Sequence, residues 1–118
     1  MTAISPRMLA FEAALAESTR RLAGGDPAAA FASLERAHVL GQHDFGSHLL
    51  VHLRMLRIAW DLGNGREVRG QLLRIALTPI GHLFGRLPRG NTGASNVSAF
   101  APMAIEPELE RLLQEKER

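Results

Sequence analysis

His48 and His52 stand four residues apart in the stretch 47–62, in the middle of an otherwise apolar arc. At about 100° per residue, Met55 and Ala59 fall beside them. Leu49, Leu53, Leu56 and Trp60 lie to one side, and Val51, Ile58 and Leu62 to the other. Arg54, Arg57 and Asp61 share the opposite wedge. The preceding stretch offers Glu35 and His38, three apart and so on one helical face, together with Phe31, Leu34 and Gln42. A short connection, 42–46, makes the two helices antiparallel and sets the end of the first beside the beginning of the second. His38 then meets His48 and His52, with Glu35 one turn deeper. Three imidazoles and a carboxylate suit a first-row transition ion. Zn, Cu, Ni or Fe accept neutral imidazole nitrogen, and Glu35 can serve as a fourth ligand or hold a histidine tautomer.

The same residues admit two other uses. In a structural polar network Glu35 pairs with an arginine or with His38, and the rings bond backbone carbonyls. In acid–base chemistry the rings act without a metal. Glu-x-x-His also occurs in ferritin-like di-metal centres, but the further inward carboxylates that those centres need are missing. A histidine-ligated haem requires a pocket that spacing does not reveal. His43 falls in the loop and reads as solvated. His82, beyond Pro79, stands apart from the cluster. No serine sits in a nucleophile elbow, so an enzyme here would be metal-assisted. The leading expectation is a small cytoplasmic metal-binding protein serving sensing, storage or delivery rather than turnover. The second is a helical interaction module that self-associates or takes a partner helix, with the histidines as core.

A second constellation is Gly90-Asn91-Thr92-Gly93 with Asn96 and Ser98. Glycines permit positive φ, and Asn and Thr side chains bond nearby backbone. Successive amides in such a loop can form an anion nest. The reading preferred here is a loop held by its own side chains, with Val97, Phe100 and Met103 pinning it to the helices. It is not a P-loop, lacking Gly-Lys-Ser/Thr and a preceding strand.

Helices must position these groups, because no alternating strand pattern appears anywhere. Ser5 and Pro6 open a first helix with the stripe Met8, Phe11, Leu15 and Leu22, stopped by Gly24 and Gly25. Asp26 and Pro27 open a second, through Phe31, Leu34, Ala37 and His38 to about Leu40. A third begins at Gly46 or Ser47 and ends at Leu62. A fourth spans 66–84 on Val68, Leu72, Ile75, Ala76, Ile80 and Phe84, with Pro79 expected to kink or divide it. A long structured Gly/Asn-rich loop, 85–102, leads to a short C-terminal helix and frayed tail over 103–118, with Pro107 near the helix start. The expected architecture is one all-α domain over 1–118, a compact antiparallel four-helix arrangement of two helical hairpins. A weak repeat at an offset of 38 aligns Gly25-Asp26-Pro27 with Gly63-Asn64-Gly65 and 34–37 with 72–75. It is loosely tetratricopeptide-like, though the period and aromatic positions differ.

At 118 residues the chain can bury a real core. It has no cysteine, which excludes disulfides, thiolate ligands and cysteine nucleophiles. The N-terminus lacks the build of a signal peptide. The most apolar run, 72–84, contains Arg74, Pro79 and His82 and is too short to span a bilayer, so no membrane role is expected. Net charge is only +2, but residues 46–90 hold seven arginines against Asp61 and Glu67. Nucleic-acid binding through this basic middle is set aside, because stacking aromatics are scarce, with one Trp and no Tyr.

The strings Glu35-Arg36-Ala37-His38 and Gly90-Asn91-Thr92-Gly93 resemble the motifs of a small bacterial family known only as a domain of unknown function. The resemblance covers most of the chain, including 70–74 and 96–100, and implies no activity. It marks the same two places that the residue chemistry singles out.

Overall fold

A computed structural model of the chain describes residues 4–85 and 87–115. It contains α1 (Pro6–Ala23), α2 (Pro27–Gly41), α3 (Phe45–Asp61), α4 (Gly65–Phe84) and α5 (Pro107–Gln114), with no strand among the described residues. The all-α expectation holds. Ser5 caps α1 by accepting from the Met8 amide, and Pro6 supplies a first residue that has no N–H to satisfy. α3 starts earlier than the sequence suggests, at Phe45. The Asp44 side chain at its N-cap makes no cap bond and instead accepts from Arg7 Nη1 at 2.9 Å. The same Arg7 nitrogen reaches the Leu40 carbonyl at the end of α2, which fixes the α2–α3 turn against α1.

The two hairpins repeat in detail where they turn. Asp26 N bonds Arg21 O and Gly25 N bonds Leu22 O; 38 residues on, Asn64 N bonds Ala59 O and Gly63 N bonds Trp60 O. Gly25 and Gly63 both take the left-handed conformation such a Schellman turn requires, at φ 81° and 68°. Asp26 and Asn64 then cap the next helix on the amides of Ala29 and Glu67. The helices nevertheless do not close into a ring. α1 packs on α2, α2 on α3 and α3 on α4, while α5 covers the α1–α2 side. Among the described residues, α4 therefore stands at the edge of a row.

The apolar core lies between α1, α2, α3 and α5, built on Phe11, Leu34, Leu40, Val51, Met55 and Leu109. α4 adds nothing to it. The residues α4 buries are Gln71, Arg74 and Thr78, whereas Leu72, Leu73, Ile80, Leu83 and Phe84 are exposed. The inward stripe expected from Val68, Leu72 and Ile80 thus gives way to a polar one. Pro79 does not divide the helix, which runs unbroken to a left-handed Gly85 cap. On α3 the buried arc is narrower than the apolar one, leaving Leu53 and Trp60 exposed.

The loop after α4 returns across the α2–α3 end of the molecule and includes 103–106, since α5 begins only at Pro107. Arg89 donates to Glu110 at 2.7 Å, and Arg36 lies 3.6 Å from Glu106 and 3.5 Å from Glu108, tying α5 to the loop and to α2. Of the tail expected to fray, 116–118 lie outside the described residues. The basic middle is partly spent internally: Arg74 is buried, Arg57 pairs with Asp61 and Arg89 with Glu110. No described helix is long and apolar enough to cross a membrane.

Candidate metal centre

His38 comes from the last turn of α2, and His48 and His52 from successive turns at the start of α3. The antiparallel crossing places all three Nε2 atoms in one small triangle. His38 Nε2 is 3.1 Å from His48 Nε2 and 3.2 Å from His52 Nε2, and the last two are 3.1 Å apart. All three residues are buried.

Each ring is held from behind. His38 Nδ1–H donates to the Asn91 backbone carbonyl at 2.6 Å; a carbonyl can only accept, so the ring proton is on Nδ1. His52 Nδ1 faces Gln71 Oε1 at 2.7 Å. The Gln71 amide is oriented by its own nitrogen, which donates to Glu67 Oε2 at 2.8 Å and to the Gly93 carbonyl at 2.9 Å. Gln71 therefore presents oxygen to His52, and His52 also carries its proton on Nδ1. His48 Nδ1 lies 2.9 Å from His82 Nε2, and His82 is itself hydrogen-bonded to the Gln42 backbone.

The electrostatics follow from burial. Desolvation holds His38 well below its ordinary value of 6.5, helped by His52 and His48; it takes His48 to about 3, and it lowers His52. The rings are neutral, so each has one proton. Two of those protons point away from the triangle, and only that of His48 can point into it. Three nitrogens thus share at most one proton, and their lone pairs converge. An ion about 2.0–2.1 Å from each nitrogen would sit about 1 Å off their plane at N–metal–N angles of about 100°. That is a three-histidine cap with one side open.

The open side faces a cavity of about 220 Å³, into which His38, His48 and His52 look together with Gln42, Arg74 and Asn91. Arg74 crosses from α4 to the loop: Nη1 donates to the Gly70 carbonyl at 3.1 Å and Nη2 to the Val97 carbonyl at 2.6 Å. Gln42 Nε2 donates to the Pro88 carbonyl at 2.8 Å. Arg74 Nε and Gln42 Oε1 are buried without a protein partner.

Of the four residues read from sequence as ligands, the structure brings together His38, His48 and His52; Glu35 is not in the group whose ligand atoms converge. Burial raises the Glu35 carboxyl, Thr92 hydrogen-bonds it, and the Glu67 charge is nearby. Glu35 thus braces the loop, and the orienting role falls to Asn91, Gln71 and His82. In the loop, Asn91 Nδ2 donates to the carbonyls of Ser98 (2.7 Å) and Ala101 (2.8 Å). The amides of Gly93, Ala94 and Ser95 go to Asn91 Oδ1, Thr92 Oγ1 and the Glu67 carboxylate. These successive amides are occupied from within. Asn96 is exposed, as is His43. A Cβ at Gly93 would lie 2.5 Å from His38 Cδ2, so the loop backbone rests directly on the ring.

His82, Gln71 and Arg74 were not legible as site residues, and Gln42, though placed on the seam face, was given no role. One signal was available: Gln71, Arg74, Thr78 and His82 recur at helical spacing on α4, a polar stripe hidden among leucines. No curated protein and no solved structure matches the chain. The match that does identify it is to a family model spanning residues 6–113, and the chain belongs to the family described as Protein of unknown function (DUF3703).

Proposed function

We propose that the protein binds one transition-metal ion through Nε2 of His38, His48 and His52, in a sensing or delivery role. The observation that carries this reading is the triangle of 3.1–3.2 Å sides with two of its three Nδ1 atoms committed as donors. A purely structural network would place a donor opposite each acceptor; here lone pairs face one another. Neutral imidazole donors without thiolate or carboxylate suit Zn, Cu, Ni or Fe. One ion per chain argues for sensing or delivery over bulk storage. Haem fits less well, because the nitrogens converge on one point and the cavity is below the ordinary size of a cofactor pocket. The proposal keeps the cytoplasmic setting expected from composition.

The test is metal content after reconstitution with Zn²⁺ or Co²⁺. About one equivalent is expected for the wild type and none for a His48→Ala/His52→Ala variant whose helical circular dichroism is retained. A reconstituted wild type without metal would sink the reading.

The interaction-module reading has its own observation, the groove between α3 and α4 lined by Leu53, Leu56, Trp60, Val68 and Leu72. It is compatible with the metal centre, since it lies on the neighbouring face of α3 and none of the three histidines lines it. A dimer that persists in chelator and dissociates on Trp60→Asp, followed by sedimentation, would support it; a monomeric wild type would remove self-association.

A further inference from the structure

We infer that the cavity beside the histidine triangle is a site for a small organic monocarboxylate with an apolar body, of which benzoate is a fair probe. The inference rests on the metal reading and goes beyond it, to what occupies the ion's open side. The volume, about 220 Å³, is small for a ligand pocket, yet a cavity of about 150 Å³ already accepts a benzene ring. Leu77, Ile80, Phe84, Leu87 and Phe100 line it with carbon, and the exposed Ile80, Phe84 and Phe100 form a rim open to solvent through which a ligand can enter.

The polar groups in the wall select the ligand's head. Arg74 is 7% exposed and Gln42 1% exposed, and both reach the cavity. Arg74 spends its two Nη atoms on neutral carbonyls, and its Nε–H has no partner. Among the described residues, the cavity lining contains no Asp or Glu. A buried guanidinium and a divalent ion on three neutral imidazoles would concentrate positive charge that the nearby Glu67 carboxylate, which acts on both Arg74 and His52, offsets only in part. An anion on the ion's open side would supply the rest. Phosphate or sulfate would ask for several donors, and among the described residues the one buried side-chain donor left without a partner is Arg74 Nε–H. A carboxylate asks for less: one oxygen for the ion and one for Nε–H. The unpartnered Gln42 Oε1 is an acceptor, which repels a second anionic group and suits water or a hydroxyl. These features together point to a single carboxylate on a hydrocarbon body.

The experiment uses the full chain loaded with Co²⁺, whose visible spectrum reports its ligands. Titration with benzoate should change that spectrum saturably, acetate should bind at least about tenfold more weakly for want of a buried body, and Arg74→Gln should weaken benzoate by about tenfold or more. The ligand-free cobalt spectrum of the variant reports whether its triangle is intact; if the variant does not fold, the benzoate–acetate comparison on the wild type decides alone. A wild-type cobalt spectrum that benzoate leaves unchanged, or that acetate shifts at equal concentration, overturns the carboxylate site and leaves the metal centre standing. A chain that gives no cobalt spectrum overturns the metal reading, and this inference with it.

Discussion

The properties of the histidine triangle come from bonds made on the far side of each ring. Asn91 and Gln71 hold the ring protons of His38 and His52 on the far side, and so decide that those two near sides are bases. Second partners of this kind typically change metal affinity by about 10–100-fold when removed. Gln71→Met, which keeps the volume and deletes the acceptor for His52, should lower Zn²⁺ affinity within that range in a competition titration. An unchanged affinity would mean that His52 keeps its tautomer without help. Gly93 tests the loop side. At φ +82° with its backbone against His38, Gly93→Ala adds both a strained conformation and a clash. The expected cost is about 1–3 kcal/mol in urea unfolding, with weaker metal binding alongside. A variant as stable as the wild type would show that the loop can lift off the ring freely.

At the scale of elements, the molecule is two hairpins that share a turn and differ in what their second helix buries. The equivalence of the turns is measurable. Asp26→Ala and Asn64→Ala each remove one side-chain cap and should each cost about 1 kcal/mol of stability by denaturant titration; a cost at only one of them would make the repeat merely formal. The turns were readable in the chain because Gly-Asp-Pro and Gly-Asn-Gly carry their own conformational reasons. His38, His48 and His52 were readable because helical spacing and a short loop constrain both face and direction. α4 was not. Its apolar residues outnumber its polar stripe, and hydrophobic periodicity gives them the inside. What reverses it is tertiary: Gln71 and Arg74 have partners on α3 and the loop that no local pattern contains, and with α4 at the edge of the row its apolar face finds no neighbour among the described elements. Asn91 and Gln42 were singled out by the sequence, as a loop residue and on the seam face, but their contacts were hidden for the same reason, since their partners are backbone carbonyls of a loop without periodicity.

At the scale of the whole molecule, the neutral rings make metal-free stability depend on pH. In the unfolded chain each takes a proton near 6.5; in the folded chain it does so lower, with His48 at about 3. Between those values the unfolded state binds more protons, so stability rises with pH. The His48 contribution is fully present above about pH 6.5 and is lost as pH falls toward about 3, by up to about 1.4 kcal/mol per pH unit, and the lowered His38 and His52 act in the same direction. His82, His43 and Arg74 beside the cluster add to this, and Glu67 opposes it for His52. A urea midpoint that is flat from pH 7 to about pH 4 would contradict it. Metal at 100 times its dissociation constant should add about 2.7 kcal/mol at neutral pH, and chelator should take it away. The row of helices has one more consequence. The three rings belong to α2 and α3, inside the row, while Arg74, Gln71 and His82 belong to α4 at its edge. Gln71 and His82 back two of the rings, and α4 also makes much of the cavity wall in front of them. How tightly an ion is held is thus set jointly by the interior of the row and by its edge, and a change that loosens α4 weakens binding without touching a ligand.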